Sequence, residues 1–145
     1  RCWGIITARS GSKRLKNKNI RIFINKPLIE HTYINTKNTL LEKVILSTDC
    51  DISINIANNY NHIEIPFKRP SYLCEDNSSS LDVIKHCLSY YKEKNIELPD
   101  YILILQPTCP QRNKKDINFI INYLNKENNN NSLTTVSKIK NITTK

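Results

Sequence analysis

Arg9, Lys13 and Lys18 are set around a glycine in the segment Ala8-Arg9-Ser10-Gly11-Ser12-Lys13-Arg14-Leu15-Lys16-Asn17-Lys18-Asn19. Cations spaced this way on a turn can neutralise a triphosphate. Gly11 permits a tight backbone path, and the exposed N–H groups of such a path cradle anionic oxygens. The guanidinium of Arg9 adds a planar fork of donors, and the lysines add compact point charges. The segment holds neither G-x-x-x-x-G-K-[ST] nor G-x-G-x-x-G, and the whole chain has 2 glycines, which excludes the Walker and dinucleotide phosphate loops. Arg9 and Lys13 are the members to which chemistry is assigned. Arg14 and Lys16 read equally well as surface charge, and a solvated basic loop is the plain alternative for the whole run.

Four further positions have side chains suited to ligand work. Asp49 follows the apolar run Val44-Ile45-Leu46-Ser47 and can accept hydrogen bonds and fix loop geometry, or cap a helix from Asp51 onward. Arg69 lies in Pro66-Phe67-Lys68-Arg69-Pro70, where the neighbouring prolines can fix it to meet a base or a phosphate. Ser80 stands at the head of a helical pattern, where capping alone would account for it. Gln106 follows Tyr101-Ile102-Leu103-Ile104-Leu105, and its amide both donates and accepts, which suits a hydroxylated or amide-bearing sugar as well as a structural role.

The elements that must position these residues are short apolar runs alternating with helical patterns. Residues 4–7, 44–47 and 101–105 do not alternate polar with apolar, as expected of parallel strands covered on both faces. Helices are expected over 27–36, with Leu28, Ile29, Thr32 and Tyr33 on one side; over 51–60, with Ile52, Ile56 and Tyr60 in register; over 81–91, with Leu81, Ile84, Leu88 and Tyr91; and over 114–124, with Ile117, Ile120, Ile121 and Leu124. A last strand is expected at 133–137. Strand and helix in alternation predict an α/β three-layer sandwich with a mostly parallel sheet. Right-handed crossovers then gather 8–19, 47–49 and 106–112 at the carboxyl edge, where ligands of such sheets bind.

Composition narrows the rest. With 145 residues and 39 % apolar content, one domain is expected. No run approaches the roughly 20 apolar residues of a membrane span, so no membrane partner and a cytoplasmic location are expected. Lys and Arg number 22 against 13 Asp and Glu, a formal charge of +9. The charge is dispersed except around Gly11, and the tyrosines do not interleave with arginines, so local phosphate binding is favoured over a nucleic-acid track. Cys2, Cys50, Cys74, Cys87 and Cys109 form no C-x-x-C pair and read as reduced thiols. No histidine is placed by sequence to activate Cys109 as a nucleophile.

The ordered set Ala8-Arg9-Ser10-Gly11-Ser12-Lys13 with Lys18-Asn19, Val44-Ile45-Leu46-Ser47-Thr48-Asp49, Arg69-Pro70 with Asp76 and Ser80, and Leu105-Gln106-Pro107-Thr108-Cys109-Pro110-Gln111-Arg112 resembles the acylneuraminate cytidylyltransferases, also called CMP-sialic acid synthetases. The resemblance implies a nucleotide-diphospho-sugar transferase-like fold and a reaction in which the anomeric hydroxyl of a nonulosonic acid attacks the α-phosphate of CTP, giving a CMP-sugar and pyrophosphate with Mg²⁺ assistance. By position it places Arg9, Ser12, Lys13 and Lys18 on the triphosphate, with Lys13 and Arg9 nearest the chemistry. It places Asn19, Arg69 and Ser80 around the cytidine, Asp76 in that wall, and Gln106 on the sugar. Family members are homodimers and continue into a dimerisation arm and later metal-binding aspartates, so residues 1–145 are read as a single nucleotide-binding domain truncated before them. Thr7, Arg14, Cys109 and Gln111 depart from the commonest family residues, and Arg14-Leu15 is similar to the cytidylyltransferases of the eight-carbon sugar Kdo. Another sugar nucleotidyltransferase, or a nucleotide-binding remnant without turnover, is therefore the alternative.

Overall fold

The computed structural model describes residues 1–10, 17–108 and 113–127. Strand β1, Cys2–Ala8, is almost wholly buried because its alternate side chains enter two different cores. Trp3 and Ile5 point to one face and Cys2, Ile6 and Ala8 to the other. Both faces being apolar removes the alternation of a half-exposed strand, as the sequence suggested. Strands β4, Lys43–Thr48, and β6, Tyr101–Leu105, are built in the same way. A two-residue strand β5, Ile63–Glu64, completes a four-stranded sheet of order β5-β4-β1-β6, parallel at every pairing.

Helices cover both faces and make three layers. On one face α1, Leu28–Thr36, α2, Asp51–Ala57, and α4, Lys114–Glu127, supply Ile29, Tyr33, Ala57, Ile117, Ile121 and Leu124 to the larger core. On the other, α3, Ser80–Glu93, sets Ile84, Cys87 and Tyr91 against Trp3, Ile45 and Ile102. Each fully buried Ile or Leu there stabilises by about 1.5–3 kcal/mol. Trp3 and Tyr91 meet edge-on at 5.0 Å between ring centroids.

Several expectations shift in detail. Helix α2 stops at Ala57, three residues early, and turns Ser53 and Ala57 inward, leaving Ile52 52 % exposed. Small residues on the inner face let the helix lie close, and the Tyr33 hydroxyl donates to the Ser53 carbonyl at 3.0 Å. In α3 the buried stripe is Val83, Ile84, Cys87 and Tyr91, and Leu81 is 48 % exposed. The cap of α3 is Ser79, whose Oγ accepts from the Asp82 N–H at 3.1 Å, so Ser80 is the first helical residue and not the cap. Helix α4 starts at an Asn113–Asp116 pair that bonds reciprocally.

A small hairpin of β2, Ile22–Phe23, and β3, Lys26–Pro27, precedes α1. Its two loop residues, Ile24 and Asn25, have φ of 48° and 66°, the left-handed pair that a two-residue hairpin requires. The strand expected at 133–137 lies outside the described residues. Among the described residues no helix is long and apolar enough to cross a membrane.

Candidate nucleotide site

The parallel register sets the ends of the three central strands side by side. Ala8 pairs with Thr48, and Ile6 pairs with Leu105, so Arg9, Asp49 and Gln106 leave the sheet at one edge. A cavity of about 280 Å³ opens there. Arg9, Lys18, Asn19, Arg69, Asp76, Ser80 and Gln106, all singled out from the sequence, line it together. Ser12 and Lys13 lie outside the described residues.

Two ties organise the β1 end. The Asp49 carboxylate accepts from the Ser10 backbone N–H and from the Ser10 hydroxyl, each at 2.7 Å. The Asn19 amide donates to the Arg9 carbonyl at 3.2 Å, and Asn19 is 9 % exposed. Residues 9 and 19 are thereby held together, with Lys18 opening the short 3-10 turn Lys18–Ile20. Burial acts to raise the Asp49 carboxyl, but the Ser10 hydrogen bonds and the charge of Arg69 outweigh it and hold the group below its ordinary value. Asp49 is not the cap of α2. That position belongs to Cys50, whose N–H donates to the Thr48 hydroxyl at 3.1 Å.

Arg69 is 6 % exposed. Its Nε donates to Ser47 Oγ at 3.1 Å and its Nη2 to the Ser47 carbonyl at 2.7 Å, while its backbone N–H donates to the Thr48 carbonyl at 2.8 Å. Burial lowers its pKa; Cys74 and Asp49 oppose that shift. A guanidinium stays charged in such a setting. Arg69 is thus a cation built into the wall between β4 and α3. Burial also pushes the neighbouring Cys87 thiol up to about 11, which keeps it protonated and unreactive at neutral pH. The four described cysteines form no disulfide.

Arg9 reaches across the mouth of the cavity. Its Nη1 donates to Asp76 Oδ1 at 2.8 Å and to the Cys74 carbonyl at 3.2 Å. The stretch it meets is itself folded: the Ser78 N–H donates to the Glu75 carbonyl and the Ser78 hydroxyl to the Tyr72 carbonyl, both at 3.0 Å. Sequence reasoning missed Glu75, Ser78 and Ser79 as lining residues. Their adjacency to Asp76 and Ser80 was the only available signal. It also missed Ser47 as the partner of Arg69, which no local pattern marks.

The cations Arg9, Lys18 and Arg69, with the polar side chains of Asn19, Ser80 and Gln106, suit an anionic ligand that also carries hydrogen-bonding groups. Among the described residues no group of three or more His, Cys, Asp or Glu side chains is placed to hold a metal ion. They therefore form no dedicated cage for the Mg²⁺ that the resemblance implies.

A family model described as Cytidylyltransferase matches residues 3–144. An N-acylneuraminate cytidylyltransferase of Escherichia coli is 40 % identical over 114 residues, covering 78 % of this chain and 26 % of the relative. A pseudaminic acid cytidylyltransferase of Campylobacter jejuni is 36 % identical over 111 residues, with coverages of 76 % and 47 %. A CMP-N,N'-diacetyllegionaminic acid synthase of Legionella pneumophila is 33 % identical over 118 residues, with coverages of 81 % and 50 %. The chain therefore spans half or less of the length of these relatives. Among solved structures, a CMP:2-keto-3-deoxy-manno-octonic acid synthetase complexed with CTP shares the fold at a TM-score of 0.66 and 20 % identity, over 87 % of this chain and 48 % of that one. A cytidylyltransferase of Leptospira borgpetersenii does so at 0.62 and 23 %, over 84 % and 48 %. With the family model covering nearly its whole length, this α/β chain belongs to the cytidylyltransferase family.

Proposed function

We propose that this chain is the nucleotide-binding part of an enzyme that joins CMP, taken from CTP, to a sialic-acid-like nonulosonic acid. The observation that carries the reading is the convergence of Arg9, Lys18, Asn19, Arg69, Ser80 and Gln106 on one cavity at the carboxyl edge of the sheet. The relatives named for N-acylneuraminate, pseudaminic acid and diacetyllegionaminic acid support the class of sugar.

In this reading the anomeric hydroxyl oxygen bonds to the α-phosphorus, the bond from that phosphorus to the bridging oxygen breaks, and pyrophosphate leaves while the hydroxyl proton passes to solvent. The reaction asks for in-line placement and charge compensation more than for a protein nucleophile. Arg9 and Lys18, with Ser12 and Lys13, hold the triphosphate; Asn19, Arg69 and Ser80 surround the cytidine; Gln106 meets the sugar. A Mg²⁺ carried on the phosphates of the nucleotide would add neutralisation of their charge without a dedicated protein cage.

Calorimetric titration with CTP, ATP and UTP, with and without Mg²⁺, tests the reading. Selective CTP binding is the expected result. Equal affinity for the three nucleotides, or no binding to folded protein, overturns it. Pyrophosphate release that requires an eight-carbon acidic sugar and ignores nine-carbon ones overturns the substrate class alone.

A further inference from the structure

The described residues lining the cavity include two carboxylates, Glu75 and Asp76, beside the cations Arg9, Lys18 and Arg69. Carboxylates repel a polyanionic ligand, so their presence in its site calls for a reason. Asp76 supplies one, because it holds Arg9. The ion pair at 2.8 Å and the second bond from Arg9 to the Cys74 carbonyl fasten the end of β1 to the stretch that leads into Ser78, Ser79 and Ser80.

We propose that Asp76 is a specificity-determining residue: an internal counter-anion on Arg9 that favours a nucleotide over bare pyrophosphate. The inference rests on the nucleotide reading of the cavity and assigns this carboxylate a task within it. Asp76 engages only Nη1 of Arg9, so a phosphate oxygen can meet the other guanidinium donors with the pair intact, but it meets a cation whose charge is already offset, which costs any phosphate ligand the same attraction. The two side chains are 32 % and 43 % exposed, so solvent keeps that cost small.

The same tie holds the wall of residues 74–80 in place before a ligand arrives. A nucleotide recovers the cost because its nucleoside meets a wall already positioned, which removes an ordering penalty. Pyrophosphate has no nucleoside and recovers nothing. Discrimination arises from the unfavourable contact as much as from the favourable one. For an enzyme that releases pyrophosphate, the arrangement also disfavours retention of that product.

Asp76→Asn keeps the size of the side chain and an acceptor oxygen and removes the charge. Calorimetry with inorganic pyrophosphate and with CTP, on the wild-type chain and this variant, reads the effect. Pyrophosphate is expected to bind roughly two- to fivefold more tightly to the variant, the range of an exposed ion pair, and CTP no more tightly. In an Arg9→Ala background the same substitution is expected to leave pyrophosphate affinity unchanged. Unchanged or weaker pyrophosphate binding to D76N, including no detectable binding to either protein, overturns the proposal. So does an equal gain for CTP, or a gain that persists without Arg9. Asp76→Ser, which removes charge and most of the reach, is expected to give the same pattern and guards against a fold defect peculiar to one variant. A wild-type chain that does not prefer CTP over UTP sinks the nucleotide reading, whereas the pyrophosphate comparison judges Asp76 separately.

Discussion

Replacing Arg69 by alanine separates a wall cation from a ligand-only cation. The guanidinium is 6 % exposed and makes two side-chain bonds to Ser47, at 3.1 and 2.7 Å. Hydrogen bonds from a charged donor contribute about 1.5–3 kcal/mol each. Relief of the desolvation of a buried cation offsets part of that loss. A net destabilisation of about 2–4 kcal/mol follows, which for a chain of this size lowers Tm by roughly 5–15 °C. Urea and thermal unfolding of the wild type, R69A, R69M and R69K measure it. Arg69→Met keeps the apolar stem and is expected to fall close to alanine, and Arg69→Lys to fall between, since an ammonium lacks the fork that reaches both Ser47 acceptors. The reasoning is refuted if R69A unfolds within about 1 kcal/mol of wild type while losing CTP binding, because the guanidinium would then act on ligand alone.

Two smaller predictions concern stability. Asp49 has a folded-state pKa below its ordinary value, so its stabilisation is complete above the unfolded carboxylate pKa of about 3.9 and is lost as pH falls through the lower, folded value. Urea midpoints measured from neutral pH to strong acid should show the gap between wild type and Asp49→Asn closing in that acid window; a gap independent of pH contradicts the assignment. Ser79→Ala removes the cap of α3 and is expected to cost about 1 kcal/mol in unfolding experiments. Ser80→Ala, one residue on, is expected to stay within about 0.5 kcal/mol of wild type and to show its effect in CTP affinity.

The central strands were legible because burial on both faces leaves an unbroken apolar run, and β6 has the bounds that its sequence suggests. Their common edge followed from parallel pairing, which sets every carboxyl end on the same side. Less was legible where small or polar residues face inward. Ser53 and Ala57 carry no apolar signal, so the pattern assigned the inner face of α2 to Ile52 and its register mates. The hairpin was hidden because isoleucine rarely takes the left-handed conformation that Ile24 adopts. In the site, residue types at strand ends pointed to the wall, but their partners did not. Asp49 finds Ser10 39 residues away and Arg69 finds Ser47 22 residues away, separations at which only the completed sheet brings the groups together.

The central place of β1 has a consequence for how the chain acquires its shape. Strand β1 precedes both of its partners in the chain and is paired on one side by β4 and on the other by β6, so Trp3 waits for Lys43 and then for Ile102. Such non-local pairing slows folding and keeps apolar strand edges uncovered while the chain is incomplete. Until β6 has emerged, one edge of this buried strand is open to strands of other chains. Expression yield should therefore depend on synthesis rate and chaperone supply more than on the final stability of the fold.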